Sequence, residues 1–370
     1  MRLPDFALER WFARFEFRVR HNLCASDVEG MPVGDLLALA DPASRALWDG
    51  LTLGYTESEG HPLLREEIAG LYDGVTADEV LVCAGAEEAI FLLANALAAP
   101  GERIVCTRPA YQSLHEVARA AGAEVVPFAL DPGRSWEPDL DRLRAALGDG
   151  ARAVMVNWPH NPTGALLGRE AFDEIVAMTD AAGATLVCDE VYRLLEHDPA
   201  ERLPAGVEAS ERAVSIGVMS KAFGLAGLRI GWIATRDRAL LGRAAALKDY
   251  TSICSSAPSE ILALIALRAR EAVLGRSRGI VDANLPVLRA FMDEHSDLLD
   301  WVPPRAGTVA FLRLRDGRPA EPLAERLVAA EGVLVLPGSA FGDDPDRFRV
   351  GFGRRDMPEG LAGLGRFLRS

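Results

Sequence analysis

The sequence predicts an α/β fold: a mostly parallel sheet of seven strands between helices, with a smaller α/β unit toward the carboxyl end. Three observations carry the prediction. Seven short runs between residues 79 and 235 are apolar at successive positions, as strands buried on both faces must be. Segments of helical periodicity lie between the earlier runs, and strands alternating with helices build a parallel sheet covered on both sides. Beyond about residue 260 the rhythm changes to a long helical stretch followed by shorter runs.

In chain order the strand candidates are EVLVCA (79–84), RIVCT (103–107), EVVPF (124–128), RAVMVN (152–157), ATLVCD (184–189), AVSIGV (213–218) and IGWIAT (230–235). EEAIFLLANAL, SLHEVARAAG, DLDRLRAAL and GREAFDEIVAMTDAAG separate the first five as helices. The second and fourth of these end in Gly, a common helix stop. The tail reads as helix over 261–295, then LLDWV, TVAFLRL, a helix near 322–331, VLVLPG and FRVGFG. No repeat or low-complexity linker marks the border, which the rhythm puts near 260–280. Sheets of this kind bind ligands beyond the carboxyl ends of their strands, so the loops that follow each strand are where chemistry is sought.

The 370 residues are 49% apolar and 25% charged, the profile of an ordinary globular chain of about two domains. A net charge of −14 opposes nucleic acid and anionic membranes, which select basic surfaces. Five scattered cysteines form no CxxC pair and six histidines show no ligand spacing, so we expect free thiols, no metal and a cytoplasmic setting. The N-terminus has no apolar signal region, and IFLLANALAA (90–99) is far short of a membrane span. Trp11, Phe12, Phe15 and Phe17 are expected to pack the N-terminal segment onto the body.

Four stretches at strand ends carry chemical groups. CAGAEEAI (83–90) runs a strand through Gly85 into a helix start, whose free N–H groups suit a phosphate. It matches neither GxGxxG nor GxxxxGK[ST], which disfavours dinucleotide and ATP sites. NWPHNPTGALL (157–167) is a rigid, irregular loop; CDEVY (188–192) puts an acid at the end of a buried strand. MSKAFGLAGLRIGW (219–232) places Lys221 between two apolar runs, where an ammonium is costly to bury. A desolvated lysine is a good amine nucleophile for aldehydes. Pyridoxal 5'-phosphate is an aldehyde that needs a lysine, a phosphate cradle and an acid facing its ring nitrogen.

NxxxNPTG, DExY and SKxFGLxGLRIG, in this order, resemble the class I/II aminotransferases of PLP fold type I, and matching stretches run from GYTESEGHPLLREEIAG (54–70) to FRVGFG (348–353). The resemblance implies a homodimeric enzyme that moves an amino group between an L-amino acid and a 2-oxo acid. It implies a large cofactor-binding domain over 41–265 and a small domain built from 1–40 and 266–370. Lys221 would hold the cofactor as an internal aldimine and shuttle the substrate proton. Asp189 would pair with the ring nitrogen, Asn161 and Tyr192 with the phenolic oxygen, and Tyr111 would stack on the ring. Arg229, Ser220 and the backbone N–H groups of Ala86 and Glu87 would hold the phosphate. Tyr55 would reach the neighbour's phosphate, and Arg349, with Asn161, would bind the substrate's α-carboxylate. His160 reads as a structural part of its loop.

The sequence departs from relatives in two places. Val218 stands where many carry Ser or Gly, so one phosphate contact would be lost or taken over by Ser220. CASDVEGMPVGDLL (24–37) replaces the usual substrate-side loop, and with LPDFALERW and KDY (248–250) looks like the capreomycidine synthase branch, which eliminates and cyclises a hydroxylated arginine. Asp27, Glu29 and Trp158 are the substrate-side candidates.

Overall fold

The computed structural model describes residues 2–342 and 344–370. Strand β1 (His21–Asn22) belongs to the N-terminal segment. The next eight are β2 (Val80–Cys83), β3 (Arg103–Arg108), β4 (Glu124–Asp131), β5 (Glu137–Pro138), β6 (Ala151–Asn157), β7 (Thr185–Asp189), β8 (Val214–Val218) and β9 (Gly231–Thr235). They form one sheet in the order β2-β9-β8-β7-β6-β3-β4-β5. Pairings from β8 through β4 are parallel, while β9 runs antiparallel to both β8 and β2. All seven expected strands form. The eighth, β5, is a two-residue antiparallel addition at the edge, too short to show periodicity and ending in a proline that an edge tolerates.

Alternation along the strands sorts the core into two layers. Ile104 and Cys106 pack with Leu92, Leu93, Leu114 and Leu240 of the helices Ala86–Leu97, Gln112–Ala120 and Arg238–Lys248. Val105 points the other way, toward Leu143, Phe172 and Ile175 of the helices Leu140–Gly148 and Arg169–Ala181.

Strands β10 (Leu299–Trp301), β11 (Val309–Leu314), β12 (Val333–Leu334), β13 (Leu336–Pro337) and β14 (Arg347–Gly351) follow. Four of them make an antiparallel sheet, β10-β11-β14-β13, and β12 pairs in parallel with β1. That pairing ties the N-terminal segment to the C-terminal one. The stretch expected as one helix over 261–295 is two, Ala257–Arg268 and Arg270–Glu294, broken at Ala269. The N-terminal helix Ala7–Phe15 is anchored by buried Trp11, whose Nε1 donates to Val335 O at 3.1 Å. Phe12 and Phe15 are part-buried, but Phe17, past the helix end, is 93% exposed and packs nothing. Among the described residues no helix is long and apolar enough to cross a membrane.

Candidate active site

A cavity of about 390 Å³ opens at the carboxyl ends of β2, β6, β7 and β8. β2 ends at Cys83 and the chain turns through Gly85, φ +88°, into the helix Ala86–Leu97, whose start no side chain caps. A Cβ at Gly85 would run into the Arg229 guanidinium. Glycine here therefore makes the left-handed turn and also lets Arg229 lie against the helix start. Ala86, Glu87 and Arg229 line the cavity at this end, and Tyr111, Asn161, Asp189, Tyr192, Ser220 and Lys221 line it further along, with Val218 beside them.

Asp189, the last residue of β7, is 4% exposed. Burial pushes its carboxyl up to about 6, against the pull of a hydrogen bond from Val191 N and the charge of Lys221. An acid so placed gains from a cation brought into the cavity. Lys221 Nζ donates to Ser26 Oγ at 2.8 Å and lies 5.7 Å from the centroid of the Tyr192 ring. Tyr192 Oη donates to Ser26 O, also at 2.8 Å. Ser26 thus touches both groups, and sequence reasoning missed it: a loop serine carries no local signal, although it lay inside the departing segment CASDVEG.

Two expected residues lie off the cavity wall. Arg349 is buried on β14, behind Asn161, where Nη1 donates to Asn161 Oδ1 at 2.9 Å and Nη2 to Cys24 O at 2.6 Å. Its Nε has no partner, and burial lowers its pKa. Tyr55 is 91% exposed and lies outside the cavity. His160 is fully buried, with Nδ1 facing Thr163 Oγ1 at 2.7 Å and Nε2 facing Pro109 O at 2.9 Å. Burial takes its pKa down to about 4, so the ring is a neutral strut of the loop.

The substrate-side expectations need correction. Trp158 does not face this cavity; it lines a separate crevice with Val156, Phe172 and Leu203, on the other face of the sheet. Glu29 lies outside as well, paired with Arg355 and, at 3.6 Å, with Arg276. Asp27 does line the cavity, 3.3 Å from Arg354, which lines it too. Glu9 and Glu16, unforeseen, join them from the N-terminal helix and its end. Their spacing of seven residues, two helical turns, was the available signal, since it puts both on one face. Glu87 is pushed up to about 7, chiefly by burial and against a hydrogen bond from Ser113.

Residues 21–361 match the family described as Aminotransferase class I and II. The chain belongs to that family. Over 98% of its length, and 93% of the relative's, this aminotransferase is 34% identical to the capreomycidine synthase of Streptomyces vinaceus. The crystal structure of a PLP-dependent aminotransferase from Streptococcus suis superposes with a TM-score of 0.94 at 29% identity, covering 100% of this chain and 98% of that one. The PLP-dependent cyclase OrfR, in complex with Au, superposes with a TM-score of 0.91 at 33% identity, with the same coverage. The fold is thus PLP fold type I, and the cofactor of this aminotransferase is pyridoxal phosphate. The cavity fits it: an uncapped helix start beside Arg229 for a phosphate, a buried carboxylate for a cationic ring nitrogen, and a lysine amine for an aldehyde.

Proposed function

We propose that this enzyme transfers the amino group of an L-amino acid to a 2-oxo acid, with Lys221 as its reactive amine. The observation that carries the reading is one cavity holding Lys221, the buried Asp189 carboxylate and the Gly85–Arg229 cradle. Bound pyridoxal phosphate supplies an electron sink for the pair left when a substrate loses its Cα proton. The backbone N–H groups of Ala86 and Glu87, with Ser220 and Arg229, hold the phosphate. Asp189 would pair with the ring nitrogen, Tyr111 would lie against the ring, and Asn161 and Tyr192 would bind the phenolic oxygen. Lys221 would hold the cofactor through its aldehyde and, once freed, would carry the proton from the substrate's Cα to the former aldehyde carbon; Ser26 Oγ, 2.8 Å away, orients the amine. Arg349 binds the α-carboxylate, exchanging its present acceptors on Cys24 and Asn161 for a planar, bidentate one.

The same proposal covers the assembly. Tyr55, 91% exposed, stands with exposed Leu53 and Tyr250, which supports a homodimer whose Tyr55 reaches the partner's phosphate site. The division into 41–265 and 1–40 with 266–370 belongs to it too, supported by the pairing of β1 with β12. So does a cytoplasmic setting, supported by five free cysteines.

A second reading concerns the substrate's side chain. With Lys221 and Arg229 given to the cofactor, Arg354 is the remaining cation on the cavity wall among the described residues, against Glu9, Glu16 and Asp27. That excess of negative charge favours a cationic side chain, by about 1–4 kcal/mol per close pair. Together with the likeness to capreomycidine synthase and a cyclase, it supports loss of a β-hydroxyl as water and ring closure on a hydroxylated arginine-like amino acid.

Borohydride reduction of the purified enzyme should fix the cofactor to the peptide containing Lys221; a colourless protein left unlabelled after incubation with PLP would end the reading. Product analysis separates the two chemistries. A new 2-oxo acid identifies transamination, whereas a cyclic product without one identifies the second reading. Arginine-like amino acids should perturb the cofactor spectrum at lower concentration than neutral or acidic ones, and Glu9→Gln with Glu16→Gln should erase that preference.

A further inference from the structure

The KDY stretch contains a buried lysine that has no place in the chemistry. Lys248 closes the helix Arg238–Lys248, is fully buried, and lies off the cofactor cavity. An ammonium out of water is costly unless it is bonded. Its Nζ donates to the Ser58 carbonyl, and the fully buried Glu260 carboxylate is close enough to feel its charge. The Lys248 carbonyl in turn accepts from Thr251 N at 2.9 Å and Ile253 N at 3.1 Å. One residue therefore fastens two loops, 53–61 by its side chain and 249–253 by its main chain. The Ser58 hydroxyl also stitches the pair, donating to Ile253 O at 2.8 Å, and just past the second loop the Thr56 hydroxyl donates to Ser255 O at 3.2 Å.

The outer face of this stitched pair carries Tyr55 and Tyr250, each 91% exposed. An exposed tyrosine cannot order its own loop, because it touches little within its subunit. The order must come from beneath, or the entropy of fixing the loop is lost when the partner binds. Resting on the dimer reading above, we propose that Lys248 is a positioning residue for the neighbouring subunit's site: it holds ready the loop that delivers Tyr55 to the partner's phosphate. A competing route exists within its own subunit. Thr251 Oγ1 donates to Glu88 Oε1 at 2.6 Å, and Glu88 Oε2 accepts from Ala84 N, beside the Gly85 turn, also at 2.6 Å. The test must therefore tell which subunit's site Lys248 serves.

Lys248→Met keeps most of the apolar stem and removes the ammonium. In the homodimer its Kd for PLP, read by absorbance titration, should rise about tenfold, as for one lost hydrogen bond to a charged group. An unchanged Kd in a folded variant overturns the proposal. Hybrid dimers of Lys248→Met with Lys221→Ala subunits decide the route. Their one borohydride-reducible site lies in the Lys248→Met subunit and receives Tyr55 from a partner whose Lys248 is intact. A wild-type Kd at that site supports the proposal; a Kd that stays raised overturns it. Tyr55→Phe paired with Lys221→Ala runs alongside. Recovery there without recovery of Lys248→Met removes the role of Lys248 alone, while recovery in neither removes the crossing of Tyr55 on which it rests. Should Lys248→Met not fold, Ser58→Ala removes another stitch without touching a buried charge. Its Kd should rise less and recover in the hybrid by the same route, and failure to recover counts against the proposal equally.

Discussion

Asp189→Asn should stabilise the cofactor-free protein while crippling the enzyme. Burial holds the Asp189 carboxyl at about 6, against 3.8 for the free group. That rise of about two pH units corresponds to about 3 kcal/mol. Below pH 3.8 the folded and unfolded chains both keep the proton, and the group favours neither. Between 3.8 and about 6 the unfolded chain releases it while the folded chain still holds it, so stability falls as pH rises. Above about 6 the fold carries the whole cost of a buried charge. Asparagine has nearly the same shape and no charge, so the variant should match wild type near pH 4 and exceed it by about 3 kcal/mol at pH 8. Urea unfolding of the cofactor-free proteins from pH 4 to 8, followed by tryptophan fluorescence, measures the difference. Saturating PLP should narrow the gap, because a ring nitrogen paired with the carboxylate would give it a counter-charge, and turnover of the variant should fall by about a hundredfold or more. A stability difference that is flat with pH, or a variant less stable at pH 8, would refute the reasoning.

Other substitutions test other parts of the site. Gly85→Ala forces a side chain into φ +88° and toward the Arg229 guanidinium; it should weaken PLP binding by about tenfold or more in equilibrium dialysis, from a strain of about 1–2 kcal/mol before any shift of Arg229. Arg349→Lys cannot reproduce a planar fork, so KM for the amino acid should rise at least about tenfold while the Kd for PLP barely moves. Trp11→Ala removes a buried anchor and its bond to Val335 O. It should cost about 3 kcal/mol locally and expose residues 7–16 to limited proteolysis; an unchanged cleavage pattern would show that the helix is held by other means.

The fold and much of the cavity's lining were legible in the chain because their causes are local. A strand buried on both faces must be apolar along its length, so all seven runs announced themselves. The chemical groups then come within a few residues of where those strands stop. Asp189 is the last residue of β7, Ser220 and Lys221 follow Val218 at the end of β8, and Asn161 lies four residues beyond the end of β6. The Gly85 turn is equally local, since only its own φ and the closeness of Arg229 demand glycine.

The substrate side was decided by packing between distant segments. Lys221 meets Ser26 across 195 residues of chain, and Arg349 meets Cys24 across 325. Asp27 and Glu29 are two residues apart and chemically alike; the loop's path turns one into the cavity and gives the other to Arg355 and Arg276. Trp158 follows Asn157 directly, yet lines a crevice across the sheet. Glu9 and Glu16 became cavity acids because Trp11 seats their helix against Val335. A carboxylate has the same letter whether solvated or facing a substrate. Its neighbours determine which it is, and those neighbours are brought to it by long-range burial that no local pattern encodes.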